Sequence, residues 1–549
     1  MELISPTDAI FLLAETREHP MHVGGLQLFE PPEGAGPEFA QETYQALAAN
    51  QDFQPTFRKR PTTFLGGIVN VGWSYDQDID IDYHVRHSGL PPPGRVRDLL
   101  ELTSRLHGSL LDRHRPLWEL HLVEGLNDGR FAIYTKFHHA LIDGVSALKL
   151  MQRALSADPN DPEVRAIWNL PRRKRHPGTS SRLQTLIRMA RSVAALGPST
   201  LSLARAALFE QQLTLPFAAP RTMFNVKIGG ARRCAAQSWS LDRVKSVKQA
   251  AGVTVNDVVL AMCAGALRYY LVEQNALPDT PLVAMVPVSL RSQDDSDSGG
   301  NMVGTILCNL ATDTDDPAKR LETISASMRR NKKVFFELPR LQALALSALN
   351  MAPLGLAAVP GFVSSTPPPF NIVISNVPGP SEPMYCRGAR LDGNYPLSIA
   401  LDGQALNITL VNNADNLDFG LVGCRRSVPH LQRLLAHLEA SLKDLERAVG
   451  VYGSGPDAEA QRGSAVVSDP QRRRRSPHRT SRRPVLGQQR RRGVVDPQGR
   501  VHRRRRSVGG RAAGVCRRDR VAGAGRAANR LRCAATTQRQ GRHRIRCPG

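Results

Sequence analysis

GRFAIYTKFHHALIDGVSALKLMQRAL, residues 129–155, decides how this chain folds. Over residues 129–139, Phe131, Ile133, Thr135 and Phe137 alternate with Ala132, Tyr134 and Lys136, which is the period of a strand. From residue 144 the period changes: Val145, Leu148 and Leu155 fall on or near one face of a helix. His138 and His139 therefore stand where a strand ends, just ahead of a loop and a helix.

The same alternation of periods runs outward on both sides. Residues 1–160 mix strands and helices and read as one domain. Residues 161–221 read as a linker and connecting helix; 156–181 is rich in Pro, Asp and Arg, and 182–196 has helical apolar periodicity. That helix could lie on a lipid surface or pack on a neighbouring domain. A second mixed block covers 222–450. It has a helix over 253–271, capped by Thr254 or Asn256, then strands at 281–291 and 370–380, and an amphipathic helix at 430–449. The apolar run 341–362 is interrupted by Pro353, Gly355 and Pro360 and reads as a buried helix and loop, not a membrane span.

The formal charge of +24 is not spread over this body. Residues 451–549 hold 27 Arg, no Lys and five acids, which leaves +22 there and +2 for the other 450 residues. Such a tail cannot bury enough apolar surface to order itself, so disorder is expected. It could tether anionic lipid or nucleic acid. Arginine without lysine, beside abundant Gly and Ala, reads instead as a frameshifted extension. The eight cysteines show no metal or disulfide spacing and suit a reducing compartment. The N-terminus lacks a basic start and carries Asp8, unlike a signal peptide.

Chemistry concentrates in HHALIDG, residues 138–144. A hydroxyl attacking an acyl group needs a base, and histidine is largely neutral and competent at neutral pH. The bland alternative is a strand end with Asp143 capping the next helix. A nucleophile elbow, a phosphate-binding loop and a dinucleotide fingerprint are all missing from the sequence, so direct transfer is the simpler mechanism. No metal site is expected.

HHALIDG matches the HHxxxDG signature of the CoA-dependent acyltransferase superfamily. Residues 3–26, 111–126, 255–261, 285–291, 300–304 and 374–380 narrow the resemblance to bacterial, mycobacterial-type wax ester synthase/diacylglycerol acyltransferases, over about residues 1–450. The resemblance implies an α/β fold of two chloramphenicol-acetyltransferase-like domains, with the active site in a tunnel between them. It implies His139 as base and His138 as support. Asp143 would be scaffold, salt-bridged to Arg291, and Gly144 would permit the close turn. Asn256 and Asp257 match the family's ND motif, where they orient substrate or cap a helix. Trp118 would wall the substrate channel or sit in the core, and Ser375 and Asn376 could stabilise an oxyanion. Glu15 and residues 20–25 would shape the site.

The implied activity is acyl-CoA:diacylglycerol O-acyltransfer making triacylglycerol, with possible wax ester synthesis on fatty alcohols. No cofactor is expected, acyl-CoA being the substrate. The expected place is cytoplasmic, peripheral to the inner membrane face or lipid droplets. Other lipid alcohols as acceptors, or a non-catalytic lipid-droplet protein, are the alternatives; nucleic acid would involve only the tail. One departure is Cys424–Arg425, where the family pattern would have Asp before the Arg. Acceptor preference, acyl length and oligomeric state are not legible.

Overall fold

The computed structural model describes residues 2–64, 69–171, 217–289, 303–337, 347 and 361–451. All lie in the compact unit Met1–Arg472. The chain opens with β1 (Glu2–Leu3), α1 (Pro6–Ala14), β2 (His22–Glu30) and α2 (Phe39–Ala48). A 3-10 turn then leads to β3 (Lys59–Phe64), β4 (Val69–Tyr75), α3 (Ile81–His84) and β5 (Val85–Gly89). The half carrying the histidines ends with α4 (Val96–Gly108), β6 (Trp118–Glu124), β7 (Phe131–His138) and α5 (Gly144–Arg153). The second half begins with β8 (Arg232–Ser240), α6 (Leu241–Ala251), α7 (Val255–Glu273), β9 (Val283–Ser289) and β10 (Val303–Asn309). It continues with α8 (Pro317–Glu337), α9 (Phe362–Ser365), β11 (Ile372–Val377), β12 (Tyr385–Cys386) and β13 (Ala389–Leu397). It closes with β14 (Leu406–Asn413), β15 (Asn416–Cys424) and α10 (Arg433–Ala448).

Two six-stranded sheets organise these elements, in the orders β12-β13-β2-β7-β6-β5 and β10-β9-β11-β14-β15-β8. A small sheet, β1-β4-β3, stands beside them. β7 lies in the middle of the first sheet, antiparallel to both β2 and β6. Its eight residues are all buried, so the alternation at 131–137 does not mark a solvent face. The strand β13 comes from the second half yet pairs with β2, Tyr395 opposite Leu26, and so extends the first half's sheet. This covers β2 from a partner more than 350 residues away in the chain.

Local chemistry explains how the main helices start and pack. Thr254 accepts a hydrogen bond from the Asp257 N–H at 3.2 Å, and the Asp257 carboxylate accepts from the Thr254 N–H at 3.0 Å. This reciprocal cap fixes the start of α7 and gives the capping role to Thr254. α7 is long and apolar enough to cross a bilayer, but it is mostly buried and packs against α8 and α10 as a core helix. α10 contributes the buried stripe Leu434, Leu438, Leu442 and Leu445. Across the other half, α5 presses onto β2, where a Cβ on Gly25 would fall 2.4 Å from Cε of Met151. A side chain at that position would displace the tip of Met151. The expected helix at 182–196, most of the apolar segment at 341–362 (all but 347, 361 and 362), and the tail beyond 451 fall outside the described residues.

Candidate active site

The end of β7 delivers two histidines into different surroundings. His138, opposite His22 on β2, is fully buried. Its Nδ1 accepts from the Ala140 N–H at 3.1 Å, which leaves the proton on Nε2, 3.4 Å from Oε1 of Glu15. Glu15 also accepts from the Met21 N–H at 3.2 Å, and from Nε and Nη2 of Arg113 at 3.1 and 3.0 Å. Burial alone would raise its carboxyl, but His138, Met21 and Arg113 together hold it below the usual carboxylate range. Glu15 is thus a buried anion fastening α1, the 15–21 loop and His138.

His139 is held differently. Its N–H donates to the Met21 carbonyl at 2.8 Å, and its ring stacks on Phe11 of α1, centroids 4.0 Å apart. Burial pushes its pKa down to about 4; Asp143 pulls it up, His138 pushes it down, and its own carbonyl pulls it up. The imidazole is therefore neutral at neutral pH and ready to act as a base.

Asp143 caps α5: Oδ1 accepts from the Ser146 N–H at 2.9 Å and Oδ2 from the Ser146 hydroxyl at 2.7 Å. Its charge also acts on the His139 imidazole, favouring the protonated form. The expected partner Arg291 falls outside the described residues. Gly144 begins α5 with an ordinary negative φ, and a Cβ there would meet only Cγ1 of Val23, at 3.7 Å. The turn itself does not demand glycine, contrary to the expectation of a close turn.

Around the pair lies a buried polar layer that motif reading missed. Nε2 of His22 donates to the His107 carbonyl at 2.8 Å. His107 contacts the Tyr134 hydroxyl at 2.9 Å and the Ser398 carbonyl, from the second half, at 3.3 Å. Burial lowers the His107 pKa to about 3 and holds His22 well below its ordinary value. Lys136 is 1% exposed, and its Nζ meets Glu119 at 3.2 Å and the carbonyls of Leu106 and Ser109. Each is a lone polar residue in sequence, and only the sheet order brings them together. His22, within 20–25, had the one usable signal.

Of the remaining candidates, Trp118 lies on β6 opposite Phe137, the residue before His138. Trp118 is fully buried, stacked on His84 and Trp168, with its indole N–H donating to the Phe57 carbonyl at 3.0 Å. Its surroundings are those of a core tryptophan, not of a channel wall. Asn256 and Asp257 occupy the first turn of α7, and Ser375 and Asn376 are half-buried near the end of β11. Among the described residues, no hydrogen bond or ring contact joins these four to His139. Cys424 ends β15 buried, its sulfur 3.5 Å from the Gly229 N–H and from the Ser427 hydroxyl, while Arg425 is exposed. No three His, Cys, Asp or Glu side chains among the described residues converge as a metal-ligand set.

Residues 4–259 match the family model of the wax ester synthase/diacylglycerol acyltransferase catalytic domain, and residues 299–446 match that of the WS/DGAT C-terminal domain. A Mycobacterium tuberculosis protein provisionally named a diacylglycerol O-acyltransferase is 76% identical over 454 residues, 82% of this chain and the whole of that protein. A second M. tuberculosis protein of the same provisional name is 65% identical over 452 residues, again 82% of this chain and all of the relative. Among solved structures, the wax ester synthase/diacylglycerol acyltransferase from Marinobacter aquaeolei VT8 superposes with a TM-score of 0.68 at 42% identity. That match covers 82% of this chain and all of the other.

Proposed function

This chain belongs to the wax ester synthase/diacylglycerol acyltransferase family of acyltransferases, and we propose that it transfers a long-chain acyl group from acyl-CoA to diacylglycerol, with His139 as general base. The observation that carries this reading is the state of His139: at the end of β7, fixed by Met21 and Phe11, and neutral at neutral pH. As the acceptor hydroxyl attacks the thioester carbonyl, its proton passes to the His139 imidazole. The tetrahedral intermediate then collapses, the C–S bond breaks, and the departing CoA thiolate takes that proton back. The products are triacylglycerol and free CoA, and His139 ends as it began.

The polar layer supports this cycle. Burial weakens the base, yet the Asp143 field favours the imidazolium that forms during attack. Glu15 and His138 hold the loop whose Met21 carbonyl anchors the His139 backbone. The name of the Marinobacter relative supports fatty alcohols as second acceptors. Acyl-CoA and these acceptors meet at the cytoplasmic membrane face or a lipid droplet, which is the location this reading assigns. The test is a competition assay in which the purified chain is given oleoyl-CoA with diacylglycerol and hexadecanol together. Triacylglycerol as the main product supports the reading; acylation of neither acceptor overturns it.

A further inference from the structure

Resting on the acyl-transfer reading above, we propose that the outer face of α1 and the arginine-lined cavity beside it seat an anionic lipid bilayer, so that the acceptor reaches His139 from the lipid phase. α1 is apolar on both sides. Leu12 packs inward with Ile4, Trp73 and Leu111, and Phe11 stacks on His139. On the other side, Ile10 and Leu13 are 54% and 62% exposed, and Leu110, next to buried Leu111, is 41% exposed. Apart from Asp8 in its first turn, α1 carries apolar side chains on opposite faces, and only one of those faces has a core. Its inner face touches the proposed base. A helix with its side chains is about 10 Å across, so lipid on the outer face lies about that far from His139.

The cavity, about 780 Å³, begins where α1 ends. Arg17, Arg105, Arg232, Arg233 and Arg425 line it against only Glu18 and Glu101. Arg233 reaches Glu101 at 3.6 Å, and Arg232 donates to the carbonyls of Gly229, Glu18 and Ala400. Arg17, Arg105 and Arg425 are exposed, with no carboxylate partner among the described residues. Arg17 follows α1 by three residues and Ser109, next to exposed Leu110, lines the same cavity, so the chain joins guanidinium groups to exposed apolar side chains as a bilayer joins phosphates to acyl chains. A soluble polyanion would satisfy the arginines but leave Ile10, Leu13 and Leu110 in water.

The Arg-rich tail would draw the full chain to anionic vesicles by itself, so the test must report on α1. Leu13→Trp in the full chain is mixed with phosphatidylcholine/phosphatidylglycerol vesicles carrying brominated acyl chains; Val272→Trp, exposed on α7, is the control. The expected result is loss of indole fluorescence for Leu13→Trp and none for Val272→Trp. In a second arm, Ile10→Glu/Leu13→Glu should slow acylation of vesicle-borne diacylglycerol about tenfold or more, while acylation of a short water-soluble alcohol is unchanged. Absence of quenching at position 13, or equal loss on both acceptors, overturns the proposal and leaves the face to a soluble polyanion or a protein. Failure of the wild-type chain to acylate any acceptor would instead overturn the acyl-transfer reading, which the quenching arm does not use.

Discussion

Lowering the pH from 7 to 5 separates a buried base from an ordinary histidine. An unperturbed imidazole, pKa about 6.5, is only about 3% neutral at pH 5. With His139 held at about 4, roughly nine-tenths stays neutral there, so kcat/KM should fall by less than about twofold instead of about twenty-five-fold. Stability falls more steeply. The folded-state pKa values of His139 (about 4) and His107 (about 3) lie below their unfolded values, so the unfolded chain takes up protons first. Their contribution is fully present above about pH 6.5 and declines as pH falls towards 4, by about 2 kcal/mol each between pH 7 and 5. The assay is kcat/KM for acyl-CoA from pH 5 to 8, with native fraction followed in parallel by tryptophan fluorescence. A limb centred near pH 6.5 in still-folded protein would refute the buried-base argument.

Three substitutions test the surroundings. Asp143→Ala should cost about 1 kcal/mol in urea unfolding through loss of the α5 cap, and should shift the pH limb lower as the raising charge disappears; unchanged values of both would remove Asp143 from the account. Lys136→Met should cost about 1–3 kcal/mol, since Glu119 loses its buried ammonium partner but keeps His121 at 3.2 Å and Arg86 at 3.7 Å, and Glu119→Leu/Lys136→Met should cost less than the two single variants summed. A double-variant cost equal to the sum of the two single costs would mean the two are not a coupled pair. Gly144→Ala should change stability by no more than about 0.5 kcal/mol in calorimetry, since the Cβ has room; a larger loss would restore a backbone requirement for glycine.

The strand, loop and helix around HHALIDG were legible because each rests on local periodicity: β7 and α5 fall within residues 129–155 where the pattern changes from two to 3.6. The cap of α7 was legible as a pair of candidates, and geometry chose Thr254. What sequence could not show depends on long-range order. The pairing of β13 with β2 has no local signal, and it is what places Ser398 against His107. Lys136 looked like the polar member of an alternation, and becomes buried because β7 has a strand on each side and covered faces. Glu15 and Arg113 are 98 residues apart, so their ion pair emerges only when α1 packs beside the loop after α4. For Gly144 the reading failed in its reason: glycine after a motif suggests a turn, but the φ is ordinary.

The central claim is tested most directly by following radiolabelled oleoyl transfer from oleoyl-CoA to diacylglycerol by the purified wild-type chain and by His139→Ala, each checked for native folding. Loss of the positioned base should slow transfer about 10²–10⁴-fold. A folded His139→Ala variant that keeps its rate within about twofold of the wild type would contradict the role given to His139.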